Sequence, residues 1–210
     1  ELLNQTGNIA AAYKNLWEEK GVPVDFGRMQ PYQNILPGVP TLCFKVPTGG
    51  GKTFLACNSV KPVFDALPYT KAKVVVWLVP SDAILVQTLE ALKNPAHPYR
   101  QKLDIDFGGR VEVYTKQELL NGQNFSITSV TEQLSVMVLS YDSFRGRKEA
   151  LKARQENSNL APFAKALGAP EYPIENADET ALIQIINQLS PFVVVDESHH
   201  ARSELSKDML

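Results

Sequence analysis

The segment at positions 46–53 reads Val-Pro-Thr-Gly-Gly-Gly-Lys-Thr and lies between an apolar run at 40–46 and an amphipathic run at 54–67. The first run predicts a strand, and the apolar spacing of the second predicts a helix. A glycine turn between a strand and a helix directs backbone N–H groups to one point, and the helix N-terminus adds partial positive charge. The segment therefore predicts a site for the phosphates of a nucleotide.

Each residue of the turn has an expected role in that site. Backbone N–H groups of four residues are expected to surround the phosphates, those of Thr48, Gly49, Gly50 and Gly51. Lys52 can reach the β- and γ-phosphates, and the Thr53 hydroxyl can bind Mg²⁺. ATP or GTP with Mg²⁺ is the predicted ligand pair, and ATP is the nucleotide that we expect.

Length, charge and cysteine content restrict the remaining classes. With 210 residues, 44% of them hydrophobic, the chain is long enough for one domain with a substantial core. A net charge of −2 argues against a generally basic protein that coats nucleic acid. No signal peptide or membrane-length apolar run is visible, and Cys43 and Cys57 form no CxxC pair, so a reducing cytoplasm is expected.

Five apolar runs predict strands, and helical patterns lie between them. The runs are 40–46, 73–79, 111–115, 135–140 and 192–196. Continuous apolarity in the second and fifth runs is typical of strands that are covered on both faces. Strands that alternate with helices predict an α/β domain with a mostly parallel sheet and helices on both faces, in three layers.

The alternation also predicts the domain limits. Residues 1–39 are expected to form an N-terminal helix, near 7–19, and a lead-in segment. Residues 40–210 are expected to form the α/β domain, with a partly helical insertion at 145–177. Because the chain begins with Glu and ends without a closing element, we expect it to be a piece of a longer protein.

A second polar group follows the last predicted strand, where Val193-Val194-Val195 leads into Asp196-Glu197-Ser198-His199-His200. In parallel sheets, ligands bind outside the carboxyl ends of the strands. Asp196 is a candidate Mg²⁺ ligand opposite Thr53, and Glu197 is a candidate for polarising the water that attacks the γ-phosphate. Zinc is disfavoured because adjacent histidines diverge and no His-Glu-x-x-His spacing is present.

The two segments together resemble a known family. Pro-Thr-Gly-Gly-Gly-Lys-Thr at 47–53 with Asp-Glu-Ser-His at 196–199 resembles motifs I and II of superfamily-two helicases and translocases of the Asp-Glu-x-His class. Val46 is a mild departure, because the family pattern begins with Ala. The resemblance implies a RecA-like fold with Lys52, Thr53, Asp196 and Glu197 in the roles given above.

Two further strand ends extend the resemblance. Leu-Val-Pro-Ser at 78–81 resembles motif Ia, and Val-Leu-Ser-Tyr at 138–141 resembles a later motif that also contacts the nucleic-acid backbone. The implied nucleic-acid contacts are Ser81, Ser140 and Tyr141. Asp82 stands where many relatives carry Arg, and an acid there would repel phosphate. From the residues alone, Tyr141 is equally suited to stacking on a base and to packing in the protein.

Two residues receive a role from the resemblance alone. His199 would link nucleotide state to nucleic-acid contacts. Gln33, in Met-Gln-Pro-Tyr-Gln, resembles the upstream glutamine that reads adenine, although its separation from Lys52 is short for the family.

The run at 182–191 that leads into Asp-Glu-Ser-His-His is most similar to the restriction subunit of type III restriction enzymes. This implies the first motor domain of an enzyme that couples ATP hydrolysis to movement on duplex DNA. It also implies a second RecA-like domain with an arginine finger, a nuclease domain and a DNA methyltransferase partner. Without that arginine, the chain alone is expected to bind nucleotide weakly and to hydrolyse almost none.

Three alternatives differ in substrate or in chemistry. An RNA helicase of the Asp-Glu-x-His class would show ATPase activity that depends on RNA. A P-loop switch or transport ATPase would lack the Leu-Val-Pro-Ser and Leu-Ser-Tyr strand ends. A regulatory nucleotide-binding module has no need of a general base such as Glu197.

Overall fold

In the computed structural model, the described residues are 7–24, 29–33, 46–47, 49–67, 72–144 and 152–196. The helices are α1 Ile9–Glu19, α2 Lys52–Ala66, α3 Asp82–Lys93, α4 Pro98–Phe107, α5 Lys116–Leu120, α6 Ile127–Glu132, α7 Ala161–Leu167 and α8 Leu182–Gln188. The strands are β1 Val74–Val79, β2 Val111–Tyr114, β3 Leu134–Ser140 and β4 Phe192–Val195, and 3₁₀ turns occupy Tyr141–Phe144 and Ser158–Leu160. The chain divides into two compact units, Glu1–Thr48 and Gly49–Leu210.

In the first unit, α1 is the helix expected near 7–19. The Asn8 side chain accepts a hydrogen bond from the N–H of Ala11 and so caps the helix. Tyr13 lies on α1 with its ring centroid 5.7 Å from that of Tyr32, and its hydroxyl donates to the carbonyl of Gln30. The residues after the helix are thereby packed back against it.

The second unit is built on a parallel sheet. Within the described ranges, four strands pair in the order β2-β3-β1-β4, and every pair is parallel. The pairing of β1 with β3 runs from Val74 opposite Ser135 to Val79 opposite Ser140. Four of the five predicted strands are therefore confirmed, and the strand predicted at 40–46 lies outside the described residues except for Val46.

Strand β1 shows why the fold has three layers. All six of its side chains are buried, and they alternate between two hydrophobic clusters. One cluster receives residues of α2, α3 and α4, namely Cys57, Val60, Leu92 and Leu103. The other receives residues of α5 to α8, among them Leu119, Val130, Phe163 and Leu182. Helices therefore cover both faces of the sheet, and the predicted α/β/α architecture is confirmed.

The described part of the 145–177 segment belongs to this core. Ala153, Leu160 and Phe163 are each no more than 1% exposed and pack in the same cluster as Val76 and Leu139. Polar contacts also anchor the segment, since the Asn157 side chain donates to the carbonyl of Leu120. The insertion predicted at 145–177 therefore contributes, through its described residues 152–177, to one helical layer of the domain.

Replacing Phe163 by leucine tests that packing. The Phe163 ring stacks on Phe125 with centroids 4.4 Å apart, and the site is fully buried. We expect the free energy of unfolding to fall by about 1–2 kcal/mol, since an aromatic pair adds roughly 0.5–1.5 kcal/mol to the burial of its area. Urea denaturation followed by circular dichroism measures the change.

Phe54→Leu is the matched control, because Phe54 also stacks on an aromatic ring but is 42% exposed. A change of less than about 0.5 kcal/mol is expected there. Equal losses in the two variants would contradict the assignment of Phe163 to the core.

No helix within the described ranges combines the length with the hydrophobicity that a bilayer crossing requires.

Candidate nucleotide site and strand ends

The glycine turn has the backbone conformation that an anion site needs. Gly49 and Gly51 have φ values of 75° and 78°, which L side chains rarely adopt. Gly51 is the N-cap of α2 and provides no side-chain acceptor, and Lys52 is the first helical residue. The first N–H groups of a helix have no partner within it, so a glycine cap leaves them available to an external anion.

The turn is also open to solvent. Gly49, Gly50, Gly51 and Lys52 are exposed, and Thr53 is partly buried. A Cβ added at Gly49 would meet no atom within 4 Å, so backbone conformation and not lack of space requires glycine there. Thr48 lies outside the described residues.

Helix α2 packs on the strand that ends before Asp196. Cys57 and Val60 of α2 are buried in the cluster against which Phe192 and Val194 of β4 pack. Burial raises the pKa of the Cys57 thiol to about 12, so this cysteine is protonated and serves as a small apolar side chain. The helix that follows the glycine turn and the strand that delivers Asp196 are therefore neighbours on one face of the sheet.

The backbone of Asp196 forms two hydrogen bonds, each with a residue of a different element. Its N–H donates to the carbonyl of Leu78 at 2.9 Å, which extends the pairing of β4 with β1 by one step. Its carbonyl accepts from the hydroxyl of Tyr141 at 2.8 Å. Glu197 and His199, which follow it, lie outside the described residues.

Three of the predicted positions gather at one edge of the sheet. Ser81, Tyr141 and Asp196 come directly or closely after β1, β3 and β4. These strands are adjacent and parallel, so their carboxyl ends meet at the same edge. This is the edge at which ligands bind in open α/β sheets.

Ser81 is the N-cap of α3. Its Oγ accepts a hydrogen bond from the N–H of Ile84 at 3.4 Å, and the residue is partly exposed. A serine hydroxyl that accepts one hydrogen bond can still donate its own proton. Ser81 can therefore cap the helix and donate to a phosphate oxygen at the same time.

Ser140 lies inside the protein at the same edge. It is 4% exposed, and its Oγ lies 3.2 Å from the Oγ of Ser143. The carbonyl of Ser143 accepts in turn from the Nζ of Lys116 at 2.8 Å. The sequence did not predict this anchoring of the turn after β3, although serine side chains often form local hydrogen bonds.

The donor set fits Mg²⁺ bound to a nucleotide. Mg²⁺ in such sites takes one or two carboxylates together with phosphate oxygens, and Asp196 and Thr53 offer a carboxylate and a hydroxyl. Among the described residues, no group of three or more His, Cys, Asp or Glu side chains is placed to bind a metal ion on its own. Gln33, the remaining candidate, is exposed in the first unit.

Comparison with known proteins identifies the family of the chain. The family model described as "Type III restriction enzyme, res subunit" matches residues 11–209. No curated protein and no solved structure matched the chain. The family match confirms the resemblance drawn from the motifs and the RecA-like character of the parallel sheet. Because it covers nearly the whole chain, the protein belongs to the family of type III restriction enzyme res subunits and is a helicase-like ATPase lobe of that family.

Proposed function

We propose that this chain binds and hydrolyses ATP as the first motor lobe of an enzyme that moves along duplex DNA. The observation that carries the proposal is the packing of α2, with its left-handed glycine cap, on β4, the strand that ends directly before Asp196. Nucleic acid would lie along the sheet edge where Ser81 and Tyr141 follow their strands.

The proposed chemistry divides among a few groups. The N–H groups of residues 48–51 and the ammonium of Lys52 offset the charge of the phosphates. Mg²⁺, held by Thr53 and Asp196, would supply further charge neutralisation when it is bound. Glu197 accepts a proton from the attacking water.

The other proposed roles follow from the family. Gln33 would contact the adenine, and His199 would relate the nucleotide state to nucleic-acid contacts. A second RecA-like domain would supply the arginine finger. A nuclease domain and a DNA methyltransferase subunit would complete the enzyme, which we propose works in the cytoplasm.

The substrate is tested by ATPase assays of the full-length protein that contains this chain. ATP turnover is measured without nucleic acid and with duplex DNA, single-stranded DNA or RNA of the same sequence. We expect duplex DNA to give the largest stimulation. Stimulation by RNA alone would identify an RNA helicase. ATP turnover that is not stimulated by duplex DNA, single-stranded DNA or RNA would indicate an ATPase without a nucleic-acid substrate.

Ser81→Ala tests the nucleic-acid edge. We expect the Kd for duplex DNA to rise by about 3- to 10-fold, because the variant loses one hydroxyl donor to phosphate. The cap is lost as well, which lowers the free energy of unfolding by about 1 kcal/mol. Fluorescence anisotropy with labelled DNA measures the binding.

Ser126→Ala is the control for the capping effect. Ser126 caps α6 through an equivalent bond to the N–H of Ser129 at 3.2 Å. Its loss should lower stability by a similar amount and leave the DNA affinity unchanged. If the Kd for duplex DNA rises equally in Ser81→Ala and Ser126→Ala, the effect of Ser81→Ala is due to lost stability and not to a lost contact with DNA.

A further inference from the structure

The hydroxyl of Tyr141 connects two strand ends that are not neighbours in the sheet. Tyr141 follows β3 and donates to the carbonyl of Asp196, which follows β4 and lies 55 residues later in the chain. Strand β1 lies between β3 and β4. The bond therefore crosses the carboxyl end of β1 and joins the 3₁₀ turn Tyr141–Phe144 to the carboxylate-bearing segment.

This bond restricts the backbone of Asp196 beyond what the sheet provides. Pairing with β1 satisfies the N–H of Asp196 through Leu78, and the phenol of Tyr141 donates to its carbonyl. A peptide group is planar, so a fixed carbonyl oxygen also fixes the direction in which the chain leaves Asp196. Tyr141 thereby constrains the start of the Asp-Glu pair.

The donor is itself anchored. Ser140 and Ser143 are both buried and in contact through their hydroxyls, and the carbonyl of Ser143 accepts from Lys116 of α5. The turn after β3 therefore has a defined position relative to β2, β3 and α5. A displacement of this turn would be transmitted to the carbonyl of Asp196 through the hydrogen bond from Tyr141.

We propose that Tyr141 is a positioning residue that couples the strand end after β3 to the Asp196-Glu197 pair. Contact of nucleic acid with the turn after β3 then changes the rate of ATP hydrolysis through the orientation of this peptide. This role deepens the function proposed above and rests on it. Tyr141 acts through Asp196 and Glu197 and does not contact the reacting phosphate.

The hydroxyl, and not the ring, carries this role. Phenylalanine would fill the same space and would stack equally well on a base, so a role in packing or stacking survives Tyr141→Phe. The hydrogen bond to the carbonyl of Asp196 is lost. The variant therefore separates coupling from the two alternatives that the sequence leaves open for Tyr141.

The test compares steady-state ATP turnover of the full-length protein and its Tyr141→Phe variant at saturating duplex DNA. We expect kcat to fall by about 3- to 10-fold, the factor that corresponds to one lost neutral hydrogen bond. The KM for ATP and the Kd for duplex DNA should each stay within about 2-fold, because the phosphate-binding turn and the ring are retained. A merely structural role would not lower kcat alone.

Tyr114→Phe is the matched control. Tyr114 also donates its hydroxyl to a backbone carbonyl, that of Asn124, at 2.8 Å. It is 1% exposed in the hydrophobic core, and no hydrogen bond between described residues joins it to Asp196. Its replacement should cost at least as much stability as Tyr141→Phe and leave kcat unchanged.

Each result decides between the proposals. A fall in kcat for Tyr141→Phe alone supports the positioning role. Unchanged kcat in that variant, or equal losses in both tyrosine variants, overturns it. Lys52→Ala is assayed in parallel. If ATP turnover is retained in Lys52→Ala, the proposed ATP site is overturned as well. If turnover is lost in Lys52→Ala but retained in Tyr141→Phe, only the role of Tyr141 is overturned.

Discussion

Lys52→Ala is expected to lower the DNA-stimulated ATP turnover of the full-length protein by about 10²–10³-fold, the usual cost of removing one preorganised charge-stabilising group. Lys52 opens α2 directly after the left-handed Gly51, and it is exposed. Its ammonium is therefore available to phosphate oxygens that the glycine turn binds. Turnover of ATP by the purified protein, with and without duplex DNA, measures the effect.

A second lysine of the same helix provides the control. Lys61 lies on α2 and pairs with Asp65 at 2.8 Å, with both side chains largely in solvent. Because exposed ion pairs of this kind contribute only about 0.3–0.5 kcal/mol, Lys61→Ala should leave both turnover and stability nearly unchanged. Turnover that persists in Lys52→Ala would remove the phosphate role from Lys52, and an equal loss in Lys61→Ala would indicate a defect of the whole helix.

The strands could be predicted because the apolar residues that identify each strand are consecutive in the sequence. Continuous apolar runs such as Val74–Val79 are typical of strands that are covered on both faces, and the structure buries all six side chains. The carboxyl-edge position of Asp196 followed from the same reasoning, since it depends only on strand direction.

Several short helices were missed although their end signals were present. Helix α4 has Pro98 at its first position after the His97 cap, and α5 begins with a capping box of Thr115 and Glu118. These helices carry few apolar residues, so periodicity alone did not reveal them. The few buried positions among residues 152–177 were not evident for a similar reason, because the composition there is rich in Ala, Pro and Asn.

The contacts at the sheet edge could not be predicted from the sequence. The bond from Tyr141 to Asp196 joins residues on opposite sides of β1, and its existence depends on the strand order β3-β1-β4. The burial of Ser140 depends on the turn that brings Ser143 back to it. Motif resemblance identified these positions but did not indicate which of them face solvent.

The second large effect is expected for Glu197→Gln. Glutamine keeps the size and hydrogen-bonding capacity of the side chain but does not accept a proton from water, so we expect kcat to fall by about 10²–10⁴-fold. Lys52, Thr53 and Asp196 are retained, and the KM for ATP should therefore change little. A nucleotide-binding assay beside the turnover assay separates the two quantities.

Glu90→Gln serves as its control, since Glu90 is exposed on α3 and the same charge is removed there.

The effects of Glu197→Gln on kcat and on KM also distinguish a general base from a residue that only binds nucleotide. If Glu197 served only to bind nucleotide, its replacement would raise KM and leave kcat intact. If Glu197 is the base, the Glu197→Gln variant binds ATP without hydrolysing it. Its complex with duplex DNA should then persist while ATP is present. We expect the second outcome, because the resemblance to motif II gives Glu197 the role of activating water.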